Sequence, residues 1–387
     1  MTRRELLIAR SVVYAILTSL PNGKPARKSS ILAKAFRLFR LFWLSFRLLR
    51  PDLFRALRGV WQIKEDDYRA SFGAESTDNY NSTSNRKKRR ENKKRDVLRP
   101  IGDMGYSGST FFRTSDGAYL VKSVPRRFEH DFFKNELLLP YAEHMQQNPA
   151  SLLVRITDLL EKTHKSLGGL LGLAPGHHIV MENILYGLDC ASQNGPEQKW
   201  ESWDLKPTSF FYPERDVAGG VLASEATKSK LPDKFDGKMK LTKARAAQFR
   251  EMLEKDTRLL ANHNAVDYSL FFVRISAADV SDSGSQPPLG TSQEMEESIS
   301  PTPPSLSPPN PPTWRTGILS SDGREVYRAA ILDFFWAKHT LHAKVMTSLV
   351  RGYNLIDEQG PMSITVESDE YRERFLKMCM ESIEIEE

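Results

Sequence analysis

Alternating apolar and polar positions along the chain predict a mixture of helices and strands. Apolar residues at helical spacing predict a helix from about Lys243 to Asn262. The run that follows, Val266-Asp267-Tyr268-Ser269-Leu270-Phe271-Phe272-Val273, is typical of a buried strand but contains an acid. A buried carboxylate costs several kcal/mol, roughly, unless a partner or a metal compensates it. The ordinary alternative is a turn-forming aspartate with its carboxylate in water.

A second acid lies inside an apolar run late in the chain. The pattern predicts a strand from Val326 to Phe335, and Asp333 falls within it. Carboxylate oxygens suit a hard cation, so a Mg²⁺ ligand is one physical reason for an acid at this position. A cationic, histidine-containing segment, Trp336 to Lys344, comes next. The pattern closes with a predicted strand at Ser363–Val366 and a helix from about Glu370 to Met380.

Three N-terminal segments have helical periodicity. An amphipathic helix is predicted from Glu5 to Leu20, where Pro21 stops it. Residues from Lys34 to Arg50 are basic and aromatic, which fits either a helix lying on an anionic membrane or a helix packed on the core with its arginines reaching water. A third helical segment begins at Pro51, and its residues Phe54, Leu57 and Trp61 share one face.

The middle of the chain has the order of a kinase-like small lobe. A strand at Ile101, a glycine-rich turn and a strand holding Lys122 precede a predicted helix from about Glu129 to Gln147. Two further strands follow, at Leu152–Ile156 and His178–Leu185. Backbone N–H groups of such a turn, with a lysine on the next strand, can approach phosphates, although Gly-Ser turns also join ordinary hairpins.

An acid and a base lie two residues apart in the segment Ser202 to Ser209. Asp204 and Lys206 fall on one face if this segment is extended. The alternative is an exposed strand edge with an ordinary salt bridge.

Charge is unevenly distributed along the 387 residues, whose formal net charge is +6. Residues 1–100 contain 24 Lys/Arg against 9 Asp/Glu, so the first quarter of the chain predicts an anionic partner, either a membrane surface or nucleic acid. The run Arg86–Arg95 reads as a solvated loop, with a phosphoinositide-binding or nuclear-localisation patch as alternatives. No apolar stretch is long enough for a transmembrane helix. Cys190 and Cys379 provide neither a disulfide framework nor zinc spacing, which favours a reducing compartment.

Composition sets two segments apart from the rest of the chain. Residues 276–316 are rich in Pro, Ser and acids and predict a disordered insertion, and 73–98 predict a polar, basic loop. Basic amphipathic helices are expected in 1–72. For the rest, it is the likeness to a kinase and not composition that implies a small lobe at 99–185, the first part of a large lobe at 186–275, and the metal-binding strand and activation segment of the large lobe at 317–387.

These motifs, in this order, resemble the phosphatidylinositol phosphate kinase family over roughly residues 45–387. The resemblance rests on eight short segments: Phe54-Arg55-Ala56-Leu57-Arg58 with Asp67-Tyr68, Gly105-Tyr106-Ser107-Gly108-Ser109-Thr110-Phe111-Phe112, Leu120-Val121-Lys122-Ser123, Leu139-Pro140-Tyr141 through Leu153, Ile179-Val180-Met181-Glu182-Asn183, Trp203-Asp204-Leu205-Lys206-Pro207-Thr208, Val266-Asp267-Tyr268-Ser269-Leu270-Phe271 and Ile331-Leu332-Asp333. It implies an α+β, two-lobed kinase-like fold with antiparallel sheets and flanking helices. No His-Arg-Asp or Asp-Phe-Gly motif of an ordinary protein kinase is present.

The resemblance also implies a role for each matching residue. Asp267 would orient or deprotonate the inositol hydroxyl, with Lys206 and Asp204 as further catalytic residues, and Asp333 would hold Mg²⁺. Lys122 would bind the ATP phosphates, with Glu129 or else Asp131 as its helix partner. The remaining nucleotide-binding residues would be Gly105, Ser107, Gly108, Met181, Glu182 and Asn183, and the lipid head group would be read by Lys338, His342 and Lys344.

Two departures from the family pattern leave two functions open. Pro207 stands where the family has glycine, and Leu341 replaces a glutamate in the activation segment. The first hypothesis is ATP- and Mg²⁺-dependent phosphorylation of a phosphoinositide at an anionic membrane surface. The second is a catalytically weak or inactive phosphoinositide-binding scaffold. Sequence-specific nucleic-acid binding is disfavoured. The expected location is the cytoplasm, peripheral at a membrane, with the nucleus as an alternative through Arg86–Arg95, and a homodimer is one alternative for the oligomeric state.

Overall fold

The computed structural model describes residues 1–18, 45–73, 97–102, 109–163, 175–188, 198–210, 235–277, 313–338, 363–364 and 366–386. Its elements in chain order are α1 (Arg3–Thr18), β1 (Phe46–Leu49), α2 (Pro51–Val60), α3 (Glu65–Ser71), β2 (Leu98–Gly102), β3 (Phe111–Thr114), β4 (Tyr119–Ser123), α4 (Arg127–Phe132), a π-helical turn (Phe133–Leu137), α5 (Leu138–Gln147), β5 (Ile156–Lys162), β6 (His177–Glu182), β7 (Gln198–Leu205), β8 (Met239–Thr242), α6 (Lys243–Asn262), β9 (Ala265–Val266), β10 (Ser269–Ala277), β11 (Ile318–Leu319), β12 (Glu325–Leu332), β13 (Trp336–Ala337), α7 (Ser368–Glu381) and β14 (Ile383–Glu386).

A six-stranded antiparallel sheet forms the first half of the fold, in the order β1-β5-β6-β4-β3-β2. Helix α1 covers its outer face, and the predicted N-terminal amphipathic helix is confirmed. The buried side of α1 packs with Leu98, Phe112, Val121 and Val180 of the sheet. This helix therefore uses its apolar face for the core.

The segment before Pro51 differs from the prediction. Residues 46–49 form a strand rather than the end of a helix, and they pair antiparallel with Leu159–Lys162 of β5. Phe46 is buried with its ring edge-on to His178 at 4.8 Å. A short apolar and basic run fits both the helical period of 3.6 residues and the strand period of 2. The open edge of the sheet decides in favour of the strand. Residues 34–44 of the same prediction lie outside the described part.

One long helix lies against the inner face of the six-stranded sheet. Helix α4, the π-helical turn and α5 follow one another without a break, close to the predicted helix from Glu129 to Gln147. Phe133, in the π-helical turn, packs its ring 5.1 Å from that of Phe335. The wider turn thus occurs where the helix meets the segment after β12.

A four-stranded sheet, β11-β12-β10-β7, carries the predicted acid-bearing strands. Helix α6 coincides with the predicted helix, and the hydroxyl of Thr242 caps its first turn by accepting from the N–H of Arg245. The helix leads through β9 and a turn into β10. Asp267, in that turn, has φ 65°, a left-handed conformation that aspartate tolerates.

Two C-terminal predictions need correction. Strand β12 ends at Leu332 rather than at Phe335, because Asp333 has φ 61° and leaves the strand conformation. The described residues of the predicted strand Ser363–Val366 lie in a turn and a bend, and the closing strand is β14, which pairs in parallel with β8. The predicted last helix is confirmed as α7, packed against α6.

Both sheets share one hydrophobic core, and the described residues have the helices and antiparallel sheets that the α+β prediction requires. The extended segment before β5 joins them, because Leu153 bridges to Ile331 of β12. No helix in the described part of the chain combines the length and the apolar character that crossing a bilayer demands.

Candidate active site

The registers of β7, β10 and β12 bring three candidate residues to one end of the four-stranded sheet. Leu270 of β10 pairs with Leu205 of β7, and Ser269 pairs with Leu332 of β12. Asp267 precedes β10, while Lys206 and Asp333 directly follow the other two strands. Because neighbouring strands are antiparallel, the start of β10 lies beside the ends of the other two.

Lys122 connects this end of the sheet to the six-stranded sheet. It lies on β4, on the same side as Leu120, which faces the shared core. Its ammonium group donates to Asp333 Oδ1 in an ion pair between the two sheets. Lys122 is buried, whereas the Asp333 side chain keeps 38% of its surface exposed. The carboxylate therefore remains open to the cleft between the sheets.

A second ion pair lies at the same end of the sheet. Lys206 Nζ is 3.1 Å from Asp267 Oδ2, and Ser363 Oγ donates to Asp267 Oδ1 at 2.7 Å. The side chains of Lys206 and Asp267 are 15% and 24% exposed. The Asp267 carboxylate, an acid within an apolar run, is thus neutralised by Lys206, as its partial burial requires.

Electrostatics couple the two pairs. Burial opposes ionisation of the Asp333 carboxyl, but the charges of Lys122, Lys206 and Arg126 outweigh burial and lower its pKa below the ordinary value. The positive charge of Lys206, which forms an ion pair with Asp267, thus also acts on Asp333. Asp333 is therefore ionised at neutral pH.

Glu129, the expected helix partner of Lys122, instead binds Arg126. The Arg126 Nη1 to Glu129 Oε1 distance is 3.0 Å, and Asp131 binds Arg127. Burial raises the pKa of Glu129 above its ordinary value, against the opposing charges of Arg126 and Lys122. The helix carboxylate lies near Lys122, but Asp333 accepts the ion pair.

Of residues 181–183, predicted to contact nucleotide, Met181 and Glu182 end β6 and Asn183 directly follows it. Met181 is buried in the shared core and pairs with Leu120. Asn183 donates through Nδ2 to the carbonyl of Gly117 at 2.6 Å, and its own N–H donates to Ala118. Gly117 has φ 79°, a conformation that favours glycine in this turn. The Asn183 side chain is thus committed to the β3–β4 turn.

The other candidates lie near the site or outside the described residues. Asp204 is half-buried on β7, opposite Phe271. Lys338 pairs through its side chain with Glu367, and its N–H donates to Asn264, close to the turn of Asp267. Five predicted site residues lie outside the described part: Gly105, Ser107, Gly108, His342 and Lys344.

Asp333 meets the requirement for a magnesium ligand. Mg²⁺ commonly takes one or two protein carboxylates, and phosphate oxygens and water complete its shell. Asp333 offers one ionised, partly exposed carboxylate. Among the described residues, no group of three or more His, Cys, Asp or Glu side chains is arranged to hold a metal. The site therefore suits a metal that arrives with phosphate ligands.

Sequence reasoning missed two residues of this site. Ser363 binds Asp267 from 96 positions away, and only the tertiary fold brings them together. Arg126 supplies positive charge beside Asp333 and lies over the ring of Trp336 at 5.6 Å. A basic pair, Arg126-Arg127, at the start of α4 was the available sequence signal.

Comparison with known proteins agrees with this arrangement. Residues 92–382 match the family model described as Phosphatidylinositol-4-phosphate 5-Kinase. A phosphatidylinositol 4-phosphate 5-kinase of Plasmodium falciparum is 33% identical over 111 residues, 29% of this chain and 6% of the relative. A probable phosphatidylinositol phosphate kinase of Dictyostelium discoideum is 28% identical over 225 residues, 57% of this chain and 26% of the relative. Phosphatidylinositol 4-phosphate 5-kinase 5 of Arabidopsis thaliana is 23% identical over 265 residues, which cover 63% of this chain and 28% of the relative. The chain thus spans at most 28% of the length of these relatives.

Proposed function

Because this chain belongs to the phosphatidylinositol-4-phosphate 5-kinase family, we propose that it transfers a phosphoryl group from ATP to the inositol ring of a phosphoinositide. The observation that supports the proposal is the meeting of Lys122, Lys206, Asp267 and Asp333 in one cleft. Two lysines and two ionisable acids are the groups that phosphoryl transfer requires, because its loose transition state depends on positioning and charge neutralisation.

Each side chain of the cleft receives a role. Lys122 binds the ATP phosphates and exchanges its present partner, Asp333, for phosphate oxygens. Asp267 orients the inositol hydroxyl and accepts its proton, since its carboxylate lies at the turn into β10 beside the cleft. Lys206, paired with Asp267 at 3.1 Å, is close enough to neutralise charge on the phosphoryl group being transferred.

Asp333 is the residue that would hold magnesium. When bound, Mg²⁺ neutralises charge on the phosphate oxygens. The chain itself contributes the ionised carboxylate, and Lys122 and Arg126 keep the pKa of that carboxyl low against the effect of burial.

We propose a phosphoinositide in an anionic membrane surface as the substrate, with the enzyme peripheral to the membrane in the cytoplasm. The excess of 24 Lys/Arg over 9 Asp/Glu in residues 1–100 supports this location. Each basic residue close to an anionic surface contributes about 1 kcal/mol to binding, so a cluster is required. The segments 34–44, 86–95 and 339–344, which carry much of this proposal, lie outside the described residues.

A phosphoinositide-binding scaffold without turnover is the second candidate. Pro207 favours it, because this buried residue directly follows Lys206 and its ring fixes φ and removes an N–H. A stiff backbone at that point restricts the movement of Lys206 from Asp267 to a phosphate.

Turnover on lipid vesicles separates these candidates. Phosphoinositide product is measured with Mg-ATP and vesicles of phosphatidylserine, phosphatidylcholine and phosphatidylinositol 4-phosphate, for the native chain and for Asp267→Asn and Asp333→Asn. Both positions have positive φ, which asparagine also tolerates, so neither variant strains the turn. The kinase proposal expects each substitution to lower kcat by about 10²-fold or more.

The thermal midpoint of each variant serves as the control for folding. Vesicle binding by the native chain without product formation would favour the scaffold. Product formation that survives either asparagine substitution would contradict the assigned roles.

A further inference from the structure

Two arginines with buried side chains contact the connection between the two sheets, one near each end. This connection starts at Glu182, the last residue of β6, and turns through Tyr186 towards β7; residues 182–186 are called the hinge segment. Arg315 lies just before β11, and Arg328 lies within β12. Both arginines therefore come from the side of the four-stranded sheet.

Arg315 binds three points around the start of the hinge segment. Its Nη1 forms an ion pair with Glu182, and its Nη2 donates to the carbonyls of Ser151 and Leu153, the latter at 2.5 Å. The side chains of Arg315 and Glu182 are 8% and 15% exposed. The same Glu182 oxygen accepts the N–H of Arg155 at 2.9 Å. One guanidinium thus joins the end of β6 to the segment that leads into β5.

Arg328 binds the far end of the hinge segment. Its Nη1 donates to the carbonyls of Ile184 at 2.9 Å and Tyr186 at 2.7 Å. The guanidinium lies 5.1 Å from the ring centre of Trp200, and the residue is 3% exposed. Burial lowers the pKa of Arg328 to about 10, so it stays charged at neutral pH. The charged guanidinium of Arg328 therefore donates its hydrogen bonds to two carbonyl groups of the hinge segment.

The centre of the hinge segment is bound to the other sheet. Asn183 contacts the β3–β4 turn through its bonds to Gly117 and Ala118. Ile184, the next residue, is buried against Phe271 of the four-stranded sheet. Successive hinge residues thus bind the two sheets in turn, so their conformation determines how the sheets face each other.

Burying a guanidinium costs free energy, and an apolar side chain of similar volume would often serve packing as well or better. Arg328 directs two hydrogen bonds, and Arg315 its ion pair with Glu182, at this five-residue segment, which points instead to a requirement for a defined conformation. We propose that Arg315 and Arg328 are positioning residues of the nucleotide site: they hold the hinge segment so that Lys122 of one sheet faces Asp333 of the other. This inference rests on the proposed function, because the ligand it concerns is the phosphoryl donor.

Nucleotide affinity tests the inference. A fluorescent N-methylanthraniloyl derivative of ATP is titrated with Mg²⁺ into the full chain and into Arg315→Met and Arg328→Met. If the competent hinge conformation falls to a tenth of the population, the apparent Kd rises about tenfold. Deuterium exchange of residues 181–188 rises in the same variants, whereas binding to phosphatidylserine vesicles and the KM for lipid stay unchanged.

Arg274→Met is the matched control. Arg274 binds Glu201 at 2.7 Å within the same four-stranded sheet and does not contact the hinge segment among the described residues. Its loss lowers the thermal midpoint without changing the nucleotide Kd. An equal loss of affinity in Arg274→Met, or native affinity in both hinge variants, overturns the inference.

A further variant separates positioning from simple stability. Arg315→Lys keeps the charge but cannot reach all three partners, so it folds even where Arg315→Met does not and still weakens nucleotide binding. Native nucleotide affinity in Arg315→Lys, with a lowered thermal midpoint, would show a merely structural role. A native chain that binds nucleotide but does not phosphorylate lipid refutes the proposed function and leaves the hinge inference intact, whereas one that binds no nucleotide refutes both.

Discussion

Replacement of Asp256 by alanine is expected to destabilise the fold strongly, although this residue itself belongs to none of the candidate motifs. Asp256 is fully buried on α6 and binds three groups. Its oxygens accept from Ser151 Oγ at 2.7 Å and Leu152 N at 2.6 Å, and lie 2.6 Å from His144 Nε2. The N–H of Ile331 donates to the carbonyl of Leu152 at 2.7 Å, so the network also supports β12, the strand that ends just before Asp333.

The magnitude follows from these contacts. A hydrogen bond to a charged group contributes about 1.5–3 kcal/mol, and the donors left behind in Asp256→Ala would be buried without a partner. Such contributions are not additive, so we expect a loss of about 3–5 kcal/mol, the range for removing one member of a buried charged pair. Asp256→Asn keeps the volume and one acceptor but turns an NH₂ group towards a donor, and should lose about 2–3 kcal/mol.

Urea unfolding of the full chain, followed by tryptophan fluorescence, measures both losses. Glu251→Ala is the matched control, because Glu251 lies on the same helix, 65% exposed, in an ion pair with Lys255. An exposed i,i+4 pair contributes only about 0.3–0.5 kcal/mol. A loss below about 1 kcal/mol in Asp256→Ala would refute the view that this network holds the helix to the strand end.

The remaining predictions concern pH and two glycines. Burial, with a smaller effect of the His177 charge, lowers the pKa of His178 to about 3. The stability that the neutral His178 ring contributes is therefore fully present above its unfolded-state pKa of about 6.5, and it is lost as the pH falls towards 3. Between pH 7 and 5 the native chain should lose about 1–2 kcal/mol more than His178→Phe in urea unfolding, and equal slopes would contradict this. Gly317 has φ 136°, and an added Cβ would lie 2.6 Å from Val326, so Gly317→Ala should lower the free energy of unfolding by about 1–3 kcal/mol. Gly59→Ala, with open space around the new Cβ in α2, should raise the free energy of unfolding by about 0.5–1 kcal/mol. A higher thermal midpoint in Gly317→Ala than in Gly59→Ala would refute both glycine predictions.

Local pattern was sufficient for most of the described elements. The helix at Lys243–Asn262 has apolar residues at helical spacing and a threonine cap, and both signals lie within neighbouring residues. Asp267 and Asp333 were recognisable because an acid in an apolar run is costly wherever the fold places it. Pattern failed where a short segment fits two periods: Phe46–Leu49 is a strand because a sheet edge is free to accept it.

Pairing across the cleft was decided by tertiary structure alone. Lys122 and Asp333 are 211 positions apart, and nothing in either neighbourhood specifies the other. The same holds for Ser363 with Asp267 and for Arg315 with Glu182. Sequence determined which side chains are able to carry charge into the interior, since that depends on each residue and its apolar surroundings. Which charges neutralise each other depends on how two sheets pack, because Coulomb attraction acts through distance in space rather than along the chain.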